Sequence, residues 1–185
     1  AKDGLFADEI VAVATEAGNV TEDQGIRPNT SVETLSGLRA AFKPEGGVIT
    51  AGNSSQISDG SAALLITTSE KAAELGLTPL ARFHTFATAG VDPIIMLTGP
   101  IPATAKLLER SGLSLNDIGT FEVNEAFSSV VGAWLAETGA DPALLNPNGG
   151  AIALGHPLGA SGARLMTTML HNMRRDNIRY GLQTM

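Results

Sequence analysis

The chain has no cysteine among its 185 residues. That absence excludes, within this chain, a disulfide, a zinc site built on thiolates and a cysteine nucleophile. Positive charge is scarce as well: 12 Lys and Arg stand against 19 Asp and Glu, a net charge of −7. Phosphate backbones are bound through clustered Lys and Arg, so this balance argues against nucleic acid as a partner. The one basic cluster, Arg174, Arg175 and Arg179, reads as the solvated end of a helix, where the macrodipole favours cations. His84, His156 and His171 are too far apart in sequence to form a local metal motif, and no metal is expected. No apolar run is long enough to cross a membrane. The opening residues, Ala-Lys-Asp-Gly-Leu-Phe-Ala-Asp-Glu-Ile, lack the apolar core of a signal peptide. With 43% hydrophobic and 17% charged residues, the expectation is a globular protein of the cytoplasm, with no membrane attachment.

What the sequence does have is glycine, concentrated where it matters. Between Asn146 and Arg164 stand Gly149, Gly150, Gly155, Gly159 and Gly162, with His156 at the centre. So dense a run reads as a loop pressed against a ligand or another chain segment. Gly162, Leu165, Met166, Met169, Leu170 and Met173 then fall at helical spacing, so the loop feeds directly into an amphipathic helix. Pro157 biases His156 toward an extended backbone, and the imidazole is aimed rather than free. A purely structural glycine crossover is the plain alternative. A phosphate-cradling loop would end in Lys-Ser/Thr, which is missing, and Gly-Ala-Ser-Gly-Ala lacks the last glycine of a nucleophile elbow. Ser161 is therefore read as a helix N-cap.

Along the rest of the chain, residues 1–17 show no single period. A loop over 18–29 carries Arg27 as its one cation, open to reading as an ordinary surface arginine. Thr30 with Glu33 predicts a capping box and a short helix ending before Pro44. Residues 46–60 are rich in glycine, serine and amides, suited equally to ligand contacts and to turns. Residues 62–67 and 80–88 read as strands, and 69–75 as a helix stopped by Gly76. Pro100 and Pro102 open a helix that stops at Gly112. A strand over 120–123 leads into a helix striped by Phe127, Val130, Val131, Trp134 and Leu135, and 180–185 reads as a further strand. The alternation implies an α/β architecture with a mainly parallel sheet. Asn124 and Glu125 fall at a strand-to-helix junction, where such sheets place functional groups, although Asn124 is equally a candidate helix cap.

Five segments carry a resemblance: Thr-Ala-Gly-Asn-Ser-Ser at 50–55, Gly-Val-Asp-Pro at 90–93, Gly-Pro-Ile-Pro-Ala at 99–103, Asn-Glu-Ala-Phe at 124–127, and the glycine-rich run at 148–164. In these motifs and their order the chain resembles the thiolases, acetyl-CoA acetyltransferases and 3-ketoacyl-CoA thiolases. The resemblance implies a layered fold of two similar α/β halves, with a loop domain inserted in the first. Residues 1–58 would then be the latter part of the loop domain, 59–79 the end of the first half, and 80–185 most of the second. The first half's opening portion and a Cys-x-Gly segment expected past Met185 fall outside the match.

By the same resemblance His156 activates a nucleophilic cysteine, and Asn124 holds a water that forms an oxyanion hole with His156. Ser55 and the backbone at Ala51 would meet the pantetheine arm of coenzyme A, and Arg27 its nucleotide end. Met96 and Phe127 would line the acyl pocket. Coenzyme A enters as a substrate, with no covalently bound cofactor. The expected partners are CoA thioesters, the complementary thiolase segment and further copies in a homo-oligomer. Gln56 and Lys43–Pro44 depart from the short-chain pattern, which leaves acyl-chain length open. This chain alone would be inactive. The alternatives are a non-catalytic thiolase-like CoA-binding protein and, on weaker grounds, a dinucleotide-dependent oxidoreductase, for which no strand-Gly-x-Gly-x-x-Gly unit is present.

Overall fold

The computed structural model describes residues 2–185, and the chain divides into two compact units, Ala1–Gly37 and Leu38–Met185. The first unit holds a single turn at Ala7–Glu9 and an antiparallel hairpin of β1 (Val13–Thr15) and β2 (Gly18–Val20). Glu16 and Ala17 make the turn, Gly18 opens β2 at φ +115°, and the Thr15 hydroxyl donates to the Gly18 carbonyl at 2.6 Å. Every strand residue is exposed, so no burial imposes an alternating pattern, and the sequence carried no period by which to find the hairpin. Helix α1 (Val32–Ser36) is capped by Ser31 and Thr34 rather than by Thr30 and Glu33. The Thr30 hydroxyl instead donates upstream to the Arg27 carbonyl at 2.8 Å, which leaves the capping role to the next residue.

In the second unit α2 (Ser69–Glu74) starts on a Thr68 cap and is followed by Gly76 at φ +64°. Helix α3 (Pro100–Ser111) opens on a proline and closes on Gly112, whose left-handed backbone lets its N–H reach the Leu108 carbonyl at 3.0 Å. Then come β3 (Thr120–Val123), α4 (Ser128–Thr138), the one-turn α5 (Ala151–Leu154), α6 (Ser161–Arg175) and β4 (Gly181–Thr184). β3 and β4 pair in parallel, with Thr120 opposite Gly181 and Val123 opposite Thr184.

Because side chains alternate across a strand, β3 presents two chemically different faces. Phe121 and Val123 join Val131, Trp134 and Leu182 in the apolar core. There Phe121 meets Trp134 edge to face at 5.2 Å, and the indole N–H donates to Thr104 of α3 at 2.9 Å. Thr120, Glu122 and Asn124 alternate with those core residues. Asn172 of α6 donates to the Thr120 hydroxyl at 3.1 Å, and Gln183 of β4 reaches the Gly162 carbonyl at 3.0 Å, so α6 covers this polar face. A side chain at Gly181 would stand 2.8 Å from the Met173 sulfur, which shows how closely helix and strand approach.

Residues 62–67 and 80–88 do not form the expected strands. A strand needs a ladder partner for its backbone groups, and none of the described residues pairs with either segment. Their apolar residues are largely uncovered: Leu65, Ile66, Phe83 and Phe86 are exposed. Side chains of α3 hold the second segment, Arg110 through the Phe86 carbonyl at 3.2 Å and Lys106 through the Thr88 carbonyl at 3.0 Å.

Candidate active site

The sheet and the glycine-rich loop bring Asn124 and His156, 32 residues apart in sequence, to one place. Asn124 directly follows β3, and its N–H donates to the Thr184 carbonyl at 3.0 Å, so the parallel ladder sets its position. Its side chain caps no helix: Phe127 occupies the cap position of α4. The amide Nδ2 instead lies 3.4 Å from His156 Nε2, and Oδ1 is buried with no hydrogen bond to protein.

His156 is buried, with its N–H donating to the Gln56 carbonyl at 2.9 Å in a parallel bridge with Ile57. Its Nδ1 lies 2.6 Å from Ser161 Oγ. The Ser161 hydroxyl is 3.0 Å from the Pro157 carbonyl, which can only accept, so the hydroxyl proton points there and Oγ accepts from Nδ1–H. The network therefore selects the Nδ1–H tautomer and leaves the Nε2 lone pair facing Asn124. Burial and, after it, the positive charge of Arg164 hold the imidazole pKa below its ordinary 6.5. At neutral pH this histidine is a neutral base with one nitrogen presented.

Ser161 was expected as the helix cap. Ala160 occupies that position, and Ser161, the first residue of α6 and fully buried, spends its hydroxyl on His156. The signal for this role lay in the sequence as a five-residue spacing across a proline-bounded turn, too local a feature to name a partner atom.

The other expected site residues divide. Ser55 is half-buried, and its N–H donates to the Ala126 carbonyl at 2.9 Å. Ala51, itself exposed, begins a single turn, Ala51–Asn53. Met96 lines a cleft of about 660 Å³ together with Asn124, Ala126 and Gln183. Phe127 is not among the residues lining that cleft; it bridges to Ser54 and packs edge to face on Phe42 at 5.8 Å. Arg27 belongs to the first unit, where its guanidinium donates to the Gly25 carbonyl at 3.2 Å. Two acids received no role from the sequence, although Glu125 stood out at the strand-to-helix junction. Glu122 is wholly buried with both carboxylate oxygens unpartnered, and burial pushes its pKa up to about 7 against the opposing pull of Arg164. Glu125 accepts the Ile152 N–H at 3.1 Å, and burial pushes its pKa up despite that bond. No cluster of His, Asp and Glu among the described residues could hold a metal ion.

Residues 1–70 match the family model for the thiolase N-terminal domain, and residues 77–185 that for the thiolase C-terminal domain. The chain is 53% identical over 182 residues to a steroid 3-ketoacyl-CoA thiolase of Mycobacterium tuberculosis, covering 98% of this chain and 44% of that protein. Among solved structures, a Bacillus anthracis acetyl-CoA acetyltransferase superposes with a TM-score of 0.89 at 40% identity, over 98% of this chain and 47% of the other. Human mitochondrial 3-ketoacyl-CoA thiolase in complex with CoA superposes with a TM-score of 0.86 at 38% identity, over 98% and 46%. The chain thus spans about half the length of the relatives it matches. With both domain models matched and an α/β fold shared with solved thiolases, the chain belongs to the thiolase family.

Proposed function

We propose that the protein carrying this chain transfers acyl groups between CoA thioesters, cleaving a 3-ketoacyl-CoA with CoA to acyl-CoA and acetyl-CoA, or running the condensation in reverse. The observation that carries the reading is the His156–Asn124 pair, with its tautomer selected by Ser161. A neutral imidazole with a free Nε2 lone pair can take a proton from a thiol at neutral pH, and the resulting thiolate is the nucleophile that acyl transfer requires. The chain holds no cysteine, so that sulfur comes from outside these 185 residues. The thiolate adds to the keto carbon, the C–C bond breaks with its electrons on the departing acetyl-CoA carbanion, and a general acid that, like the thiol, comes from outside these 185 residues gives that carbon its proton, which leaves a thioester on the enzyme. The CoA thiol then takes the acyl group.

The amide N–H of Asn124, through a bound water, and the protonated Nε2 of His156 serve the developing oxyanion. Coenzyme A is a substrate in this scheme; Ser55 and Ala51 are assigned to its pantetheine arm, Arg27 to its phosphates, and Met96 and Phe127 to the acyl chain. The absence of cysteine supports a second reading, a thiolase-like protein that binds CoA without turnover.

Kinetics of the complete protein separate the two. In the enzyme, His156→Ala should slow alkylation of the nucleophilic thiol at neutral pH, and Asn124→Ala should lower kcat by roughly tenfold to a thousandfold, the scale of one lost oxyanion contribution. CoA binding with no turnover in the parent protein would favour the second reading.

A further inference from the structure

Asn124 and His156 come from different segments, so something must hold their separation. Asn146 has a left-handed backbone, φ 45°, that folds its side chain back on β3. There the Val123 N–H donates to Asn146 Oδ1 at 2.9 Å, and Asn146 Nδ2 donates to the Val123 carbonyl at 3.0 Å. The Asn146 N–H also donates to the Phe121 carbonyl at 2.8 Å, so this one residue, beside the Phe121–Leu145 bridge, pairs backbone groups on the edge of β3 that β4 leaves open. On the far side of Asn124, Glu125 accepts the N–H of Ile152 in α5, four residues before His156. Gly150 lets the two anchors close: a Cβ there would lie 2.2 Å from the Glu125 carboxylate and 3.0 Å from Asn146 Nδ2.

We propose that Asn146 and Glu125 are positioning residues, which tie the His156 loop to the two residues flanking Asn124 and thereby set the Asn124–His156 separation. Neither side chain makes a contact with the imidazole, so each acts through the loop. Displacements of about an ångström at a reacting pair cost up to about a hundredfold in rate, while binding surfaces remote from the pair are untouched.

The inference rests on Asn124 and His156 being the working pair, and its test keeps the two claims apart. In the complete enzyme, Asn146→Gly retains the left-handed backbone but removes the clamp, and Glu125→Ala removes the carboxylate. Each should lower kcat roughly tenfold to a hundredfold with KM for the acyl-CoA nearly unchanged. Glu125→Gln, whose amide oxygen can still accept from Ile152, should retain most of the activity. The deciding measurement is the double-mutant cycle with Asn124→Ala: the anchors' effect should largely vanish once Asn124 is gone, because the separation they hold no longer matters. Full additivity in the cycle, or an unchanged kcat in Asn146→Gly and Glu125→Ala, overturns the positioning role. An Asn124→Ala variant with parental kcat would instead overturn the assignment of the pair itself.

Discussion

Ser161 brings no chemistry of its own, yet it decides which imidazole nitrogen is available. Its hydroxyl proton is committed to the Pro157 carbonyl, so the oxygen must accept from His156 Nδ1, and Nε2 keeps its lone pair. Ser161→Ala in the complete protein should release that constraint. Nitrogen NMR of His156 should then show a mixture of tautomers in place of Nδ1–H, and alkylation of the active thiol should slow roughly tenfold or more. The parent's alkylation should lose its His156-dependent component only below pH 6.5, because burial and Arg164 keep the ring neutral under more acid conditions than usual. A parent profile that falls away above pH 6.5, or an unaltered tautomer in Ser161→Ala, would contradict this account.

At the scale of elements, β3 is the component on which both core and site are built. Phe121 and Val123 anchor it in the apolar layer with Trp134, while Thr120, Glu122 and Asn124 form a polar register against α6. Glu122 is the anomaly in that register: fully buried, with no protein partner for either oxygen and a pKa pushed up to about 7 by burial. A carboxyl raised in the folded state from the ordinary 4.5 contributes stability below pH 4.5 that is lost as pH rises through about 7, because the unfolded chain releases its proton first. Glu122→Gln in the complete protein should therefore flatten the decline in unfolding free energy between pH 5 and pH 8. Urea titrations at the two ends of that window give the comparison, and a variant that declines as steeply as the parent would show that Glu122 is not the titrating group.

For the whole molecule the relevant quantity is uncovered apolar surface. Leu65 and Ile66 in one unpaired segment, and Phe83 and Phe86 in the other, are exposed, and Ile94 is 90% exposed. Apolar side chains grouped along segments without ladder partners form an apolar surface open to water. The chain also spans less than half the length of the M. tuberculosis and B. anthracis proteins it matches. Expressed as these 185 residues alone, it should cleave no ketoacyl-CoA, bind a hydrophobic dye strongly and self-associate. Turnover by the isolated chain would refute the external thiolate, and a monodisperse, dye-silent monomer would refute an exposed apolar surface.

The sequence by itself determined the elements whose causes are local. Pro100 and Gly112 bound α3, the apolar stripe of Val130, Val131 and Trp134 makes α4, and the four buried residues of β3 read correctly as a strand. It also carried the family, through motifs in order, and named both members of the His156–Asn124 pair. Only the tertiary structure decided what depends on a partner distant in sequence. The strands expected at 62–67 and 80–88 are absent because pairing is a property of two segments, and the described residues offer them none. The contacts of Asn146 and Glu125 went unread for the same reason: each is defined by the atom it meets, on Val123 and on Ile152, and no local propensity encodes that meeting.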